Sequence, residues 1–516
     1  MTDVPQPRGG QLRKPRIQIL AWTAVLIPFF AMAILRWDDG LGIDAGDYAH
    51  YLLHARALAE GRSYTDTGYI FLERAWVIGP RAQPPGLPVT LAPFLMLTGE
   101  NFFVFRLVML AFATAFVLGA GRYFARREDP ILGLGVSLLV GASVPISQVS
   151  VQILSDLPFA ALVWCLISVY DRDGHWDARR IVAATLLVAA AMSFRTAGIA
   201  IIPATLLFTV LQFRQHRWRP AVPILVCAAL GAAAAVVGGL FLGVEGRIPS
   251  GYFRIGGEFL SRLLFYRFEI SEGLLYPFPT EVANDAYHVV ALLIVAVGLG
   301  AWLKKRWRSY VVTFSVSYGA MLMVVPVKDG RYLWPLFPVL VFGLLNGGRI
   351  LLERVQRGAS GTSQRRGILV AACVIALSST LFRLNDPPKE SLVAWATTQE
   401  VFDHLRTAAS TDDEMRVAFA KPRVLSWETR IPAMGTFPAD PEAILAELRR
   451  NRITHVVLGG IGIRGANRAF HAAIRRNPEA FHLQFRNQHF SVYRFAEPQP
   501  DSPTGASPIN EMPRQD

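Results

Sequence analysis

Cysteine and charge are both scarce in this chain. Of its 516 residues three are cysteines, and only 18% are Asp, Glu, Lys or Arg. Cys165, Cys227 and Cys373 fall inside apolar runs and have no partner at metal-ligand spacing. An odd, scattered set excludes a disulfide framework, and each reads as a small packing residue. A soluble domain is nearer a quarter charged, so the composition leans away from that class. There is no P-loop, no His-Glu-x-x-His and no Cys-x-x-Cys. Gly459-Gly460-Ile461-Gly462 follows a strand-like run but completes no dinucleotide fingerprint. No small-residue cleavage site follows the first apolar run, so Ile17 to Leu35 reads as a retained helix rather than a signal peptide. No internal repeat is visible.

What the chain has in quantity is apolar sequence. It is 52% hydrophobic, with a mean hydropathy of +0.33. The apolar residues gather into runs near the ~20 residues that cross a bilayer as a helix. About eleven spans are predicted, at 17–35, 102–125, 130–148, 153–170, 180–194, 197–213, 220–243, 286–303, 309–326, 332–348 and 367–383.

The net charge of +13 belongs with this topology. Basic clusters occur at Arg13–Arg16, Arg122–Arg127, Arg172–Arg180, Arg214–Arg219, Lys304–Arg308 and Arg349–Arg366. They recur between every second pair of spans, as cytoplasmic loops do, with residues 1–16 as a cytoplasmic tail. Nucleic-acid binding would instead gather them on one face, and it is set aside. An odd span count then places the carboxy terminus outside.

Three segments fall on the outer side. The loop 36–101 carries an amphipathic helix from Asp47 to Glu60, expected to lie along the interface, and a short apolar helix from Leu87 to Leu97 opened by Pro84, Pro85 and Pro88. The loop 244–285 carries a helix from Gly257 to Phe268. Residues 384–496 read as a small α/β domain: helices at 400–409, 441–451 and 466–476, strands at 416–420 and 455–458, and a hairpin of 481–485 with 490–495. Residues 497–516, rich in Pro, Ser and Asp, read as a disordered tail. The expected fold class is therefore a polytopic α-helical membrane protein with a small outer α/β domain, and the membrane domain runs from 17 to 383.

Acids at a membrane rim are costly and usually have a partner or a task. Asp44 and Asp47 leave the first span. As bland roles they cap and charge a helix start; as functional ones they act as general base or hold a metal at the bilayer surface. Asp156, in Ser155-Asp156-Leu157-Pro158, opens another span on the same side. Arg74, Arg81, Arg195 and Arg331 sit at outer positions against the charge bias, where they snorkel or bind phosphate bidentately. The carboxylates leaving the first helix and Arg331 are expected to meet in one pocket beside the outer leaflet.

In order along the chain, Asp44-x-x-Asp47-Tyr48, Gln83-Pro84-Pro85-Gly86-x-Pro88, Ser155-Asp156-x-Pro158, Arg195-x-x-Gly198 and Arg331-Tyr332-x-x-Pro335-x-x-Pro338 resemble the GT-C superfamily of membrane glycosyltransferases. Within it they are similar to the branch holding bacterial lipid A aminoarabinose transferases and protein O-mannosyltransferases. The resemblance implies inverting transfer of a sugar from a polyprenyl-phosphate donor to a lipid, glycan or protein acceptor on the periplasmic face of the inner membrane. It implies Asp44 or Asp47 as catalytic base, Asp156 as a supporting or metal-binding acid, and Arg331, Arg81, Arg195 and Arg74 as donor-phosphate contacts. Tyr48, Gln83 and Tyr332 would line the substrate pocket. A divalent cation such as Mg or Mn is an open cofactor role. Two departures stand out: Ala45 follows the first acid where relatives carry a second acid, and Gln83 precedes the prolines where relatives carry Lys. The competing classes are a transporter or flippase of a lipid-linked solute and a non-catalytic envelope assembly subunit. The first would place ionisable groups at mid-span and pair broken helices, and neither pattern is seen.

Overall fold

The computed structural model describes residues 15–35, 37, 46–73, 79–213, 218–244, 259–273, 281–325, 328–355, 367, 370–376, 378, 396–459 and 465–496. The chain forms two compact units. One holds residues 1–40, 54–66 and 82–389, and the other holds 41–53, 67–81 and 390–516. The sequence places the whole first loop with the membrane domain and cuts the outer domain at 384. The compact units divide differently, because two pieces of that loop cluster with the carboxy-terminal segment.

The first unit is a helical bundle. Its helices include α1 (Pro15–Leu35), the end of α2 (Gly46–Ala59), α3 (Gly86–Thr98), α4 (Phe102–Arg127), α5 (Pro130–Ala142), α6 (Val144–Val149), α7 (Asp156–Tyr170) and α8 (Ala178–Phe194). It continues with α9 (Ile201–Phe213), α10 (Trp218–Phe241), α11 (Phe259–Gly273), α12 (Glu281–Arg306), α13 (Tyr310–Val324) and α14 (Phe337–Val355). Among the described residues four helical stretches are long and apolar enough to cross a membrane: Phe102–Arg127, Thr196–Phe213, Ala221–Phe241 and Asp285–Arg306. Five more, among them Pro130–Ala142 and Asp156–Tyr170, are apolar but shorter. At 1.5 Å per residue a 13-residue helix is about 20 Å long, less than the hydrocarbon core. The predicted span 130–148 breaks where Ser143 adopts an extended backbone ahead of Pro145. The span predicted at 367–383 is described only in part.

Side-chain caps set the helix starts. Asn101 accepts from Val104 N (3.3 Å) at α4, Asp129 from Ile131 N (2.8 Å) at α5, and Asp177 from Arg180 N (2.8 Å) at α8. Asp171 caps a helix distant in sequence: its carboxylate accepts from Tyr310 N (2.6 Å) and Val311 N (3.2 Å) at the start of α13, and from the Tyr123 hydroxyl (2.7 Å). Arg126, Arg127 and Lys304–Arg306 close α4 and α12 where the helix dipole favours cations. There Glu128 joins the two helices by accepting from Arg306 Nε (2.8 Å) and Trp302 Nε1 (3.1 Å).

Close approach of helices rests on glycine, as in membrane bundles. A Cβ at Gly298 of α12 would overlap the Gly343 carbonyl of α14, and one at Gly347 would overlap the Ile294 carbonyl. Asn346 donates from Nδ2 to the Gly298 carbonyl (2.9 Å) across the same contact. Phe124 and Phe342 stack with centroids 4.3 Å apart, and Trp164 donates to the Pro335 carbonyl (3.0 Å).

The second unit is built on a six-stranded sheet of order β1-β3-β2-β4-β6-β5. The strands are β1 (Tyr69–Ile70), β2 (Val417–Phe419), β3 (Ala433–Gly435), β4 (His455–Gly459), β5 (Phe481–Arg486) and β6 (Phe490–Phe495). The first four in that order are parallel, while β6 and β5 add antiparallel at one edge. Parallel strands are covered on both faces, and β2 and β3 are buried at every residue. The helices of this unit are α15 (Ala396–Ala409), α16 (Pro422–Thr429), α17 (Pro441–Arg450) and α18 (Ala466–Arg476). Ile444, Leu448, Phe470 and Ile474 meet Ala418, Met434, Val456 and Tyr493 in one core. The predicted helices at 441–451 and 466–476 and the hairpin lie where expected. Helix α16 and strands β1 and β3 were not anticipated.

Helix α2 corrects one expectation. It occupies Gly46–Ala59 but is no half-wet interfacial helix, since Ala49, His50, Tyr51, Leu52, Leu53, His54, Ala55, Arg56 and Ala57 are all buried. Beyond the apolar period of Tyr48, Leu52, Leu53, Ala55 and Leu58, the burial takes in His50, His54 and Arg56, which a packed environment accommodates by pairing.

Candidate functional site

In the helical unit the motif residues converge on the end of α8. Asp156, in the first turn of α7, is ion-paired with Arg195, which follows α8, at side-chain exposures of 3% and 15%. Arg195 also lies 4.9 Å from the Tyr332 ring centroid. Gly198 of the same motif closes the turn, since a Cβ there would come 2.8 Å from Met192 Cα. Gly86 has a parallel reason: a Cβ would lie 2.8 Å from Phe194 N, so only glycine lets the Gln-Pro-Pro-Gly segment dock beside Arg195. The structure thus brings Gly86, Asp156, Arg195 and Tyr332 together.

Gln83 serves through its backbone. Its N–H donates to His54 Nε2 (3.2 Å), and its carbonyl accepts from the Tyr64 hydroxyl (2.7 Å). Because Nε2 accepts, His54 carries its proton on Nδ1 and donates it to the Tyr64 carbonyl (2.7 Å). His54 and Tyr64 also stack, with centroids 4.2 Å apart. This pin fixes the loop that starts α3. Arg56 pairs with Glu100 (2.8 Å), and Arg106 faces Trp37 with 6.0 Å to the ring centroid.

Arg331 pairs with its neighbour Asp329. Its Nε and Nη2 lie 2.8 Å and 2.6 Å from Oδ2, and its backbone N–H donates to Oδ1 (3.0 Å). Around this turn α11 supplies groups the sequence reading missed. Arg262 is buried and donates to the Met323 carbonyl (2.8 Å), and Ser261 binds Lys328 Nζ (2.6 Å). Glu269 fills the space beside Gly330. Burial, reinforced by Tyr332 and Asp329, pushes the Tyr266 phenol up to about 12, so it stays protonated. The helix itself was expected from Gly257 to Phe268, and Arg262, inside the run Phe-Leu-Ser-Arg-Leu-Leu-Phe, is the one signal that would have flagged these groups.

In the α/β unit Asp47 lies in the first turn of α2 and pairs with Arg423 of α16. Arg423 Nη1 is 3.1 Å from Asp47 Oδ1 and donates to His50 Nδ1 (3.4 Å). The Tyr69 ring centroid is 5.9 Å from the guanidinium carbon and 5.3 Å from the His50 ring. Burial raises the Tyr69 phenol to about 12, against an opposing pull from Arg423. Arg423 is a second residue that sequence reasoning missed, and no local signal marks it.

Asp44 and Arg74 lie outside the described residues. Arg81 is solvent-exposed and Tyr48 half-buried. Among the described residues no three His, Cys, Asp or Glu side chains group as a metal site. Asp156 and Asp47 each face an arginine, so no step is assigned to a divalent cation.

With the fold in view, the chain is similar in fold to solved structures of ArnT and of an archaeal oligosaccharyltransferase. ArnT from Cupriavidus metallidurans in the apo state superposes with a TM-score of 0.60, over 93% of this chain and 99% of that one, at 14% identity. The same protein bound to undecaprenyl phosphate gives a TM-score of 0.57 at the same coverage and identity. The oligosaccharyltransferase AglB from Archaeoglobus fulgidus, in complex with an inhibitory peptide and a dolichol-phosphate, gives 0.58 over 86% of this chain and 69% of that one, at 11% identity. No family model and no curated sequence matches the chain.

Proposed function

We propose that the protein is a multi-pass membrane glycosyltransferase that moves a sugar from a polyprenyl-phosphate donor to a hydroxyl of a lipid, glycan or protein acceptor on the outer face of a bacterial inner membrane. The observation that carries this reading is the fold shared along nearly the whole of both chains with ArnT, a protein solved with undecaprenyl phosphate bound. The eleven-span topology belongs to the same proposal, with a cytoplasmic amino terminus and a periplasmic α/β domain.

The chemistry needs little machinery. A carboxylate, Asp44 or Asp47, takes the acceptor hydroxyl's proton as its oxygen attacks the anomeric carbon. The bond from that carbon to the phosphate oxygen breaks with inversion, and the electron pair leaves on polyprenyl phosphate. Fixed cations stabilise that charge most when they need no reorganisation, which suits arginines held by neighbours. Arg331 and Arg195 take this role, with Arg81 and Arg74 from the first loop. Asp156 orients Arg195, Tyr332 stacks against it, and Gln83 and Tyr48 border the substrate.

Mass spectrometry of envelope glycolipids, glycans and glycoproteins, with and without the protein, tests the reading. A product lacking one sugar in the deletion strain, restored by the wild-type chain but not by Asp44→Asn, supports it. Unchanged glycosylation with a solute redistributed across the membrane would favour a transporter.

A further inference from the structure

We infer that Asp47 and Arg423 form an anchoring pair, acting as positioning residues for transfer rather than as groups that exchange protons. This rests on the glycosyltransferase reading and leaves the proton-accepting role to Asp44.

Three observations within the α/β unit carry the inference. First, Arg423 is 7% exposed and faces Asp47, which is 37% exposed, at 3.1 Å. A guanidinium within hydrogen-bond reach of Oδ1 stabilises the charged carboxylate and so lowers its basicity, the opposite of what a general base near neutral pH requires. Second, the surroundings are shaped for the guanidinium. A Cβ at Gly79, whose φ is +143°, would lie 2.6 Å from Arg423 Nη1, and one at Gly46 would lie 3.0 Å from Nη2. His50 offers Nδ1 as an acceptor, and Tyr69 presents its ring. Third, the pair joins residues 376 apart in sequence, linking the start of α2 to α16, whose sheet also takes up β1 from the first loop. Asp47 is further suited to its place by the helix dipole in the first turn of α2. The carboxy-terminal segment thereby sets the position from which the first loop acts.

The experiment compares Asp47→Ala, Asp47→Asn, Arg423→Ala, Arg423→Lys and the double alanine variant of the full-length protein in nanodiscs. Transfer from a polyprenyl-phosphate sugar gives kcat and KM, and hydrogen exchange is followed at residues 46–53 and across β2 and β4. Asp47→Ala and Arg423→Ala are each expected to lower kcat about 100-fold, as a misplaced reacting group does. The double variant falls no more than about threefold further, because the two losses are one loss. Asp47→Asn keeps an acceptor for the guanidinium, and Arg423→Lys keeps the charge, so both retain at least about a tenth of wild-type kcat. Protection falls at 46–53 while β2 and β4 hold. Asp47→Asn as inactive as Asp47→Ala with Arg423→Ala near wild type would make Asp47 the base and overturn the inference. Multiplying single losses, or equal loss of protection in β2 and β4, would overturn it too. If the wild-type chain transfers no sugar the glycosyltransferase reading falls, and exchange at 46–53 in Arg423→Ala still decides the anchor.

Discussion

Removing the Arg195 guanidinium tests the helical cluster most sharply. Asp156 is 3% exposed and Arg195 15% exposed, so Arg195→Ala strands a carboxylate where water scarcely reaches. Deleting one partner of a buried pair costs about 3–5 kcal/mol, chiefly through the orphaned charge. In a large domain 1 kcal/mol moves Tm by about 2 °C, so Arg195→Ala should lower Tm by about 6–10 °C. Adding Asp156→Asn removes the orphaned charge and should recover at least about half of that loss. The assay is fluorescence-detected size exclusion of detergent-solubilised protein after heating, run on wild type, both single variants and the double. A single variant within about 2 °C of wild type, or a double as labile as Arg195→Ala, would refute the buried-pair argument.

Other consequences can be checked in parallel. Gly298→Val should push α12 from α14 and destabilise the bundle by about 1–3 kcal/mol or more, seen as lost monodisperse protein. Tyr64→Phe should remove the bond to the Gln83 carbonyl at about 1 kcal/mol, with faster hydrogen exchange at 83–86. Burial lowers His455, so the unfolded chain takes up its proton first. Stability of the α/β unit is then full above about pH 6.5 and falls as pH drops through that range, measurable as exchange at β4 between pH 7.5 and 5.5.

Much of the architecture was legible because local rules decide it. Asp440-Pro441 opens α17 and Ile444, Leu445 and Leu448 give it a face, so both its start and its phase could be read. The hairpin of β5 and β6 needed only two apolar runs around Asn487-Gln488. Strands β1 and β3, of two and three residues, carry no such pattern. They are strands because Tyr69 pairs with Ala433 and Ala433 with Val417, contacts between remote stretches. The same remoteness hid Arg423, whose identity as a partner of Asp47 is written nowhere near either residue. Arg195 was legible as an exception to the charge bias and Asp156 as an acid opening a span on the outer side, but their pairing was not, because it depends on how α7 and α8 pack.

The most direct test of the glycosyltransferase account is donor turnover by the purified chain in proteoliposomes. A labelled polyprenyl-phosphate sugar is supplied with envelope acceptors, and release of polyprenyl phosphate is followed together with sugar on the acceptor. The account predicts matched appearance of both products, slowed about 10²–10⁴-fold by Asp44→Asn, the usual worth of a positioned base. An intact donor, or full turnover in both Asp44→Asn and Asp47→Asn, would contradict it.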